Sequence, residues 1–200
     1  MKKNILMLSA ITATLLFTGC TKSNESISVS KKDMTTKEIK MKAKKAIILV
    51  GGTLKKTMGM KMKEGGATKT AEFCSVSAED LAKKVSKKLD KGVTVKRITN
   101  KPRNSKNMAT KEQLEILKDI EAKMKQGNMP KMLVKKISDN HYQVYKPFKV
   151  GDKCIVCHGT EQTRDENAYK IISSKYPNDK AIDYKTGDLR GAFLVNIINK

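Results

Sequence analysis

Residues 91–97 read Lys-Gly-Val-Thr-Val-Lys-Arg, and in this stretch the spacing of the apolar residues changes. Before it, apolar residues recur every three or four positions, which is the spacing of one helix face. From Val93 onward the spacing is two, so Val93, Val95 and Arg97 share one face of a predicted strand. Helices followed by strands predict an α+β domain with a mostly antiparallel sheet.

Two helices are predicted before this change of period. The first covers residues 36–62 and is weakened locally by Gly51-Gly52. After a break at residues 64–66, the second covers about residues 67–89. Cys74 lies on the apolar stripe of the second helix, so we expect its side chain to point toward whatever that helix packs against.

After residue 100 the sequence predicts a long helix, a hairpin, a short helix and a last strand. Their expected ranges are 111–125 with Thr110 as its N-cap, 132–138 and 141–147 around Asp139-Asn140, 164–175, and 189–198 after a turn at Gly187-Asp188. No internal repeat is visible in the chain.

The first 19 residues are predicted to be a lipoprotein signal peptide. A basic start precedes a short apolar run at residues 5–16, and small residues stand directly before Cys20. We expect Cys20 to be lipid-modified, residues 20–35 to be a flexible tether, and residues 36–200 to form the folded domain. The alternatives are an ordinary signal peptide with a chance Cys and a retained anchor helix.

The formal net charge is +22 at pH 7, and Lys outnumbers Arg by 38 to 4. In a cytosolic protein this balance would favour nucleic acid as the partner. The export signal argues against nucleic acid, and we expect none to be bound. Anionic lipid headgroups, envelope polyanions or an acidic redox partner fit better, through long-range electrostatic steering.

Residues 154–158 read Cys-Ile-Val-Cys-His, the C-x-x-C-H pattern of c-type haem attachment. Two thiols at this spacing can reach the two vinyl groups of one porphyrin, and the adjacent His158 can bind the iron. Gly159 is expected to leave room for the macrocycle. The motif therefore predicts one covalent haem c on Cys154 and Cys157.

Two other interpretations of this motif are less favoured. A redox-active disulfide between Cys154 and Cys157 would need a βαβ setting, which the sequence lacks. A zinc site would need a fourth ligand, and Cys157 and His158 are adjacent and poorly placed to chelate one small ion.

The second iron ligand is left open by the residues alone. Ordinary small cytochromes c place a Met after the motif, but this chain has neither Met nor His after His158. The candidates are therefore the inward-facing thiol, the only other His and three upstream thioethers, namely Cys74, His141, Met58, Met108 and Met132.

Two arginines are candidates for binding the haem carboxylates. Arg97 shares a strand face with two Val residues, and an inward guanidinium is costly unless it is paired. Arg103 stands in the polar loop that follows the same strand. The alternative partner for Arg97 is a buried Asp or Glu.

Several separated blocks resemble a domain family of unknown function whose members are exported, carry a single c-type haem and have a PAS-like fold. The blocks are Cys74 followed by Leu81-Ala82, residues 97–107 (RITNKPRNSKN), Lys146-Pro147-Phe148 leading to residues 154–159, Asp179-Lys180-Ala181, and residues 184–192 (YKTGDLRGA). The resemblance covers roughly residues 40–198. The chain departs from the family pattern at Ser105, where Pro is usual, and at Asp183, where Gly is usual.

The resemblance implies that His158 and the thiolate of Cys74 are the two iron ligands. It also implies an α+β, PAS-like antiparallel sheet with long N-terminal helices. A thiolate ligand favours ferric iron and lowers the reduction potential. On reduction Cys74 could protonate and leave, which would open a coordination site for a gas such as NO or CO.

We therefore expect a redox- or gas-responsive sensor module on the periplasmic side of a bacterial envelope, lipid-anchored to either membrane. It would act through a signalling or redox partner, because the chain contains no output domain. A low-potential electron carrier is the alternative. An enzyme such as a peroxidase is the weakest hypothesis, because no distal His–Arg pair is evident.

Overall fold

The computed structural model describes residues 33–199, which form an α+β fold around a four-stranded antiparallel sheet. The strand order is β1-β4-β3-β2. The strands are β1 (Val93–Ile98), β2 (Leu133–Ser138), β3 (His141–Lys149) and β4 (Leu189–Ile198). The α+β class is confirmed. The hairpin forms around the predicted turn, because β2 ends at Ser138 and β3 begins at His141.

The helices surround this sheet. They are α1 (Thr36–Ile47), a π-helical segment (Ile48–Gly52), α2 (Thr53–Val76), α3 (Ala78–Ser86), α4 (Lys111–Lys125), α5 (Ile155–His158) and α6 (Glu166–Lys175). Short 3₁₀ turns cover Ser105–Asn107 and Asp152–Cys154. The Thr110 side chain caps α4 as predicted, with Gln113 completing a capping box.

The N-terminal helices are more continuous than the sequence suggests. Gly51 and Gly52 lie in the π-helical segment and do not end the helix. A Cβ atom on Gly51 would stand 2.7 Å from Cζ of Phe193, so close contact with the sheet requires Gly there. The predicted break occurs as a kink at Gly65-Gly66, where Gly66 has a φ of 64°. The second predicted helix is divided at Ser77 into the end of α2 and α3.

One face of the sheet, which we call the closed face, is covered by α4. Its buried side chains pack on α4 and on the segment before it, and they are Ile98, Tyr145, Ala192 and Leu194 against Ala109, Leu117 and Ile120. All of them are at most 4% exposed.

The opposite face, the site face, changes character along the strands. Where α1 covers it, the contact is apolar and consists of Val93, Tyr142, Val144, Val195 and Ile197 against Ile39, Ala43 and Ala46. Further along, Arg97 is paired with Phe193 of β4, and Phe193 is paired with Lys146 of β3. Directly paired residues share a face, so a charged and aromatic area follows the apolar one.

The second half of α2 packs against α6 and α5 beside this area. Ala67 and Ala71 of α2 contact Ala168 and Ile172 of α6, and Cys157 joins the edge of this cluster. Small residues at this contact let the helices approach closely. The packing brings the end of α2 to the C-x-x-C-H motif.

The predicted signal peptide, Cys20 and most of the predicted tether lie outside the residues that the structure describes. Asp33 already contacts the domain, since its carboxylate lies 3.1 Å from Nζ of Lys136, and Thr35 caps α1 with Glu38 completing the capping box. No helix within residues 33–199 is long and apolar enough to cross a membrane.

Candidate functional site

The C-x-x-C-H motif lies on a 3₁₀ turn that leads into the single helical turn α5. Cys154 is exposed and Cys157 is half-buried, and both are free thiols. Residues three apart on a helical turn lie on the same side. Both sulfurs can therefore bond to one flat molecule lying against this turn.

A hydrogen bond fixes the tautomer of His158. Its Nδ1 lies 2.7 Å from the carbonyl oxygen of Ala181, which can only accept, so Nδ1 carries the proton. The second nitrogen, Nε2, keeps its lone pair and is free to bind a metal. Burial lowers the pKa of His158 well below its ordinary value, and the Arg103 guanidinium adds to this effect, so the ring is neutral at pH 7.

The segment at residues 181–184 holds the motif through its backbone. The amide of Tyr184 donates to the carbonyl of His158 at 3.0 Å, and the amide of Asp183 donates to that of Gly159 at 3.0 Å. Asp183 has a φ of 60°, a conformation that favours Gly. The departure noted at this position in the sequence is thus an Asp placed where Gly would be unstrained.

Gly159 is constrained by the turn in which it lies. A Cβ atom there would collide with Oγ1 of Thr163 and stand 2.7 Å from the side chain of Ile155. A larger residue at this position would therefore disturb the turn that follows the motif.

Arg103 holds the backbone of the C-x-x-C-H motif in place through an ion pair and a hydrogen bond. Its Nε donates to Asp179 at 2.9 Å, and its Nη2 donates to the carbonyl of Cys157 at 2.6 Å. The side chain of Asp179 is 1% exposed, so this ion pair is largely desolvated. The 3.3 Å contact of Nη2 with Nδ1 of His158 joins two donors and is not a hydrogen bond. Two of the donor nitrogens of Arg103 are therefore committed to the protein, although we expected the residue to bind haem carboxylates.

Arg97 has the opposite character. Its side chain is exposed, and it forms no hydrogen bond or ion pair with residues 33–199. Surrounding protein nevertheless lowers the pKa of Arg97, and its charge interacts with that of Cys74. An exposed guanidinium without a protein partner is available to an external anion. The alternative partner, a buried Asp or Glu, is not found among these residues.

All four arginines of the chain lie around the motif. Arg164 reaches the carbonyl of Gly159 at 3.3 Å, and Arg190 donates to Thr99 Oγ1 and to the carbonyl of Lys101 at 3.2 Å each. The charges of Arg97, Arg103 and Arg190 all act on His158. We did not predict Arg164 or Arg190. The rarity of Arg, with four among 42 basic residues, could have marked these positions as structurally important. A planar guanidinium can donate to several carbonyl groups at once, which the Lys ammonium does less well.

Tyr184 is a second residue that we did not predict. Its ring meets His158 edge to face, with centroids 6.2 Å apart, and Lys101 Nζ lies 4.4 Å from its centroid. The hydroxyl is buried beside Arg190 but has no hydrogen bond of acceptable geometry within the described part of the chain. Tyr184 therefore fixes the orientation of the imidazole by packing.

Cys74 lies near the motif, on the second half of α2. It is a half-buried free thiol whose charge acts on Cys157, and the charges of Arg103 and Arg97 act on it in turn. Burial raises the pKa of the Cys74 thiol, so without a metal it is protonated at pH 7. The thiol is therefore close to the motif.

The other candidate ligands are placed less well. His141 begins β3, whereas the motif follows the end of β3 at Lys149, roughly 26 Å away along the strand. Met132 packs into the cluster under α1, and Met58 lies on the part of α2 before the kink at Gly65-Gly66, whereas Cys74 lies on the part after it. Met108 is 40% exposed, next to the end of β1. Within residues 33–199 no group of three or more His, Cys, Asp or Glu could hold a metal ion.

Fold and site together define an α+β domain with a C-x-x-C-H motif held between α2, α6 and the segment after it. The chain belongs to the Tll0287-like family, whose pattern matches residues 16–197. This confirms the resemblance drawn from the separated sequence blocks.

A solved structure of similar fold is the cyanobacterial heme-protein Tll0287. The similarity has a TM-score of 0.52 and 18% sequence identity, and it covers 84% of this chain and 98% of that protein. No curated protein matches the sequence.

Proposed function

We propose that this chain is an envelope lipoprotein carrying one covalent haem c on Cys154 and Cys157, with His158 as an iron ligand. The single observation that carries the proposal is the His158 hydrogen bond, which leaves Nε2 free directly beside two free thiols. The similarity in fold to a heme-protein supports it.

The residues around the motif fit such a group. Arg97 offers an unpaired guanidinium to carboxylates, and Phe193 and Phe148, 5.0 Å apart, offer an apolar floor on the site face. Haem iron, when bound, supplies one-electron redox chemistry and a coordination site for small ligands. Arg103 and Ala181 hold His158 in the tautomer that this chemistry needs.

We further propose Cys74 as the second iron ligand. Its position near Cys157 supports this assignment, as does the poor placement of His141, Met58 and Met132. A coordinating metal deprotonates a thiol outright and thereby overcomes the effect of burial. When the iron is reduced, Cys74 would be stabilised less as a thiolate, could take up a proton and could release the sixth position to NO or CO.

The proposed role is a redox- or gas-responsive sensor module that acts through a partner protein. A second candidate role is a low-potential electron carrier, favoured by the exposure of Cys154, which would leave one haem edge accessible to a redox partner. If Cys74 stayed bound to the iron in both the ferric and the ferrous state, the carrier role would be favoured over the sensor role.

Mass spectrometry and spectroscopy of the protein made with a c-type maturation system test the proposal. We expect one haem that survives acid–acetone extraction, and its loss in a Cys154→Ser/Cys157→Ser variant. A haem-free mass for the unaltered chain would sink the assignment.

The second ligand is tested by matched variants. Cys74→Ala should convert a low-spin ferric spectrum to a high-spin or water-ligated one and raise the potential, with the covalent haem retained. His141→Ala should change neither. The reverse result would mean bis-His ligation, and a simple electron carrier would then be the better description.

A further inference from the structure

The outer side of the N-terminal helices is strongly basic. We call residues 36–63 the basic arm; it comprises α1, the π-helical segment and the first part of α2. It contains nine Lys and one Glu. The inner side of α1 is apolar and packs on the site face of the sheet. The outer side is therefore a surface that the fold itself does not use.

Apolar side chains interrupt this basic surface at intervals. Met41 is 49% exposed, Ile48 is 59% exposed and Met60 is 44% exposed. Exposed Lys residues flank them along the helices, at positions 37, 40, 44, 45, 55, 56 and 63. Single exposed apolar residues are ordinary, but exposed apolar residues interspersed with exposed Lys along consecutive helical segments resemble the pattern of an interfacial helix.

The positive charge of the arm is not neutralised by the domain. Of its Lys residues, only Lys61 forms an ion pair with a carboxylate of residues 33–199. On α4 the situation differs, since Lys118, Lys123 and Lys125 each pair with a carboxylate one turn away. Helix α4 carries four Lys and four acidic residues and is neutral, whereas the arm carries an excess of eight Lys over Glu, and this charge is available to an external anion.

We infer that the basic arm lies on an anionic phospholipid surface. The Lys residues would contact lipid headgroups while Met41, Ile48 and Met60 enter the boundary between headgroups and acyl chains. The arm extends over roughly 40 Å, which suits a flat surface. A protein partner would instead be expected to meet a compact cluster of anchors.

The position of the arm in the chain agrees with this inference. The described domain starts at Asp33, thirteen residues after Cys20, and that many residues reach at most about 45 Å. An acyl chain at Cys20 would hold the arm within reach of the bilayer. The contact itself needs no acyl chain, so it does not depend on the proposed lipid anchor. It would turn α4 and the closed face away from the membrane.

Vesicle binding tests the inference with the full haem-loaded chain carrying Cys20→Ser, so that no acyl chain contributes. We expect binding to vesicles that contain phosphatidylglycerol, weakening with added salt, and little binding to phosphatidylcholine alone. Lys44→Glu/Lys55→Glu should weaken binding by at least roughly tenfold. The control Lys111→Glu/Lys131→Glu changes the net charge equally and should leave binding nearly unaltered. Equal weakening in both variants would overturn the assignment to the arm.

Insertion is measured separately. The chain contains no Trp, so Ile48→Trp introduces a single fluorophore. Its emission should shift to shorter wavelength on phosphatidylglycerol vesicles, whereas the control Ile137→Trp, at another exposed apolar position, should not shift. An unshifted emission for Ile48→Trp, or binding of an acidic protein but not of vesicles, would reject the inference. The lipid anchor is tested separately with the chain that retains Cys20 and vesicles of phosphatidylcholine alone. If that chain does not bind these neutral vesicles, the result counts against acylation of Cys20 and leaves the inference about the basic arm untouched.

Discussion

The closed face and the site face of the sheet are built from the same four strands, but they differ in what covers them. The closed face carries fully buried apolar side chains under α4. The site face is apolar under α1 and then presents Arg97, Phe193 and Lys146 beside the motif. Alternation of side chains lets a single strand stabilise the fold with one set of residues and form the site with the other.

This comparison separates stability from chemistry. Variants on the closed face should change the free energy of unfolding and leave the site as it is. Variants around the motif should change the site, with effects on stability that depend on how each residue is paired.

The largest effect is expected on the closed face. Ile120 is 0% exposed, and Ile120→Ala should lower the free energy of unfolding by about 4 kcal/mol, because the side chain leaves a cavity under the sheet. Denaturant unfolding of the haem-loaded protein measures this. The exposed Ile137→Ala is the control, with little expected change. An altered haem spectrum in Ile120→Ala would show that the two faces are not independent.

Asp179→Asn should affect both stability and site. It leaves the Arg103 charge without its buried partner, and we expect a loss of about 3 kcal/mol. Because Arg103 also holds the carbonyl of Cys157 and contacts His158, the potential and spectrum of the haem-loaded protein should shift as well. The hydrogen bond from the Ala181 amide to Oδ1 can be retained. A stability loss with no spectral change would reduce Asp179 to a structural role.

The haem-free chain should lose stability as pH falls below about 6.5, with a slope that approaches about 1.4 kcal/mol per pH unit. Burial lowers the pKa of His158, so in this range the unfolded chain takes up a proton that the folded chain does not. Above pH 7 both states are neutral and no dependence arises from this group. Unfolding of His158→Gln at the same pH values is the control. A slope that persists in this variant would assign the dependence to other groups.

The smallest effect is expected at Asp183. Asp183 has a left-handed backbone conformation, which Gly adopts without strain. Asp183→Gly should therefore stabilise the protein, but by less than about 1 kcal/mol, because Gly also raises the conformational entropy of the unfolded chain. Asp183→Ala should destabilise it, because Ala tolerates this conformation poorly. Thermal unfolding compares the two. Changes in stability of opposite sign in the two variants would support backbone strain at Asp183. Equal losses of stability would instead point to the 3.8 Å contact between Asp183 and Arg164.

Much of the fold could be predicted because the signals are local. Thr110 caps α4, the turn at residues 139–140 separates two strands, and Arg97 shares its strand face with Val93, as the spacing indicates. The run of the first helix through Gly51-Gly52 and its interruption near residue 65 were predicted, whereas the π-helical geometry at Ile48–Gly52 and the division at Ser77 were not. Gly51 is tolerated within the helix because it contacts Phe193, nearly 150 residues away.

The sequence by itself determined the motif at residues 154–158, the alternation that forms the two faces and the family of the protein. Each of these depends on residues that are close in the chain or in fixed order. Only the tertiary structure decided that Arg103 braces Cys157, that Ala181 sets the tautomer of His158 and that His141 is remote. The two hydrogen bonds join residues that are 54 and 23 positions apart in the chain. Their geometry follows from how the helices pack on the sheet, and no local spacing encodes that packing.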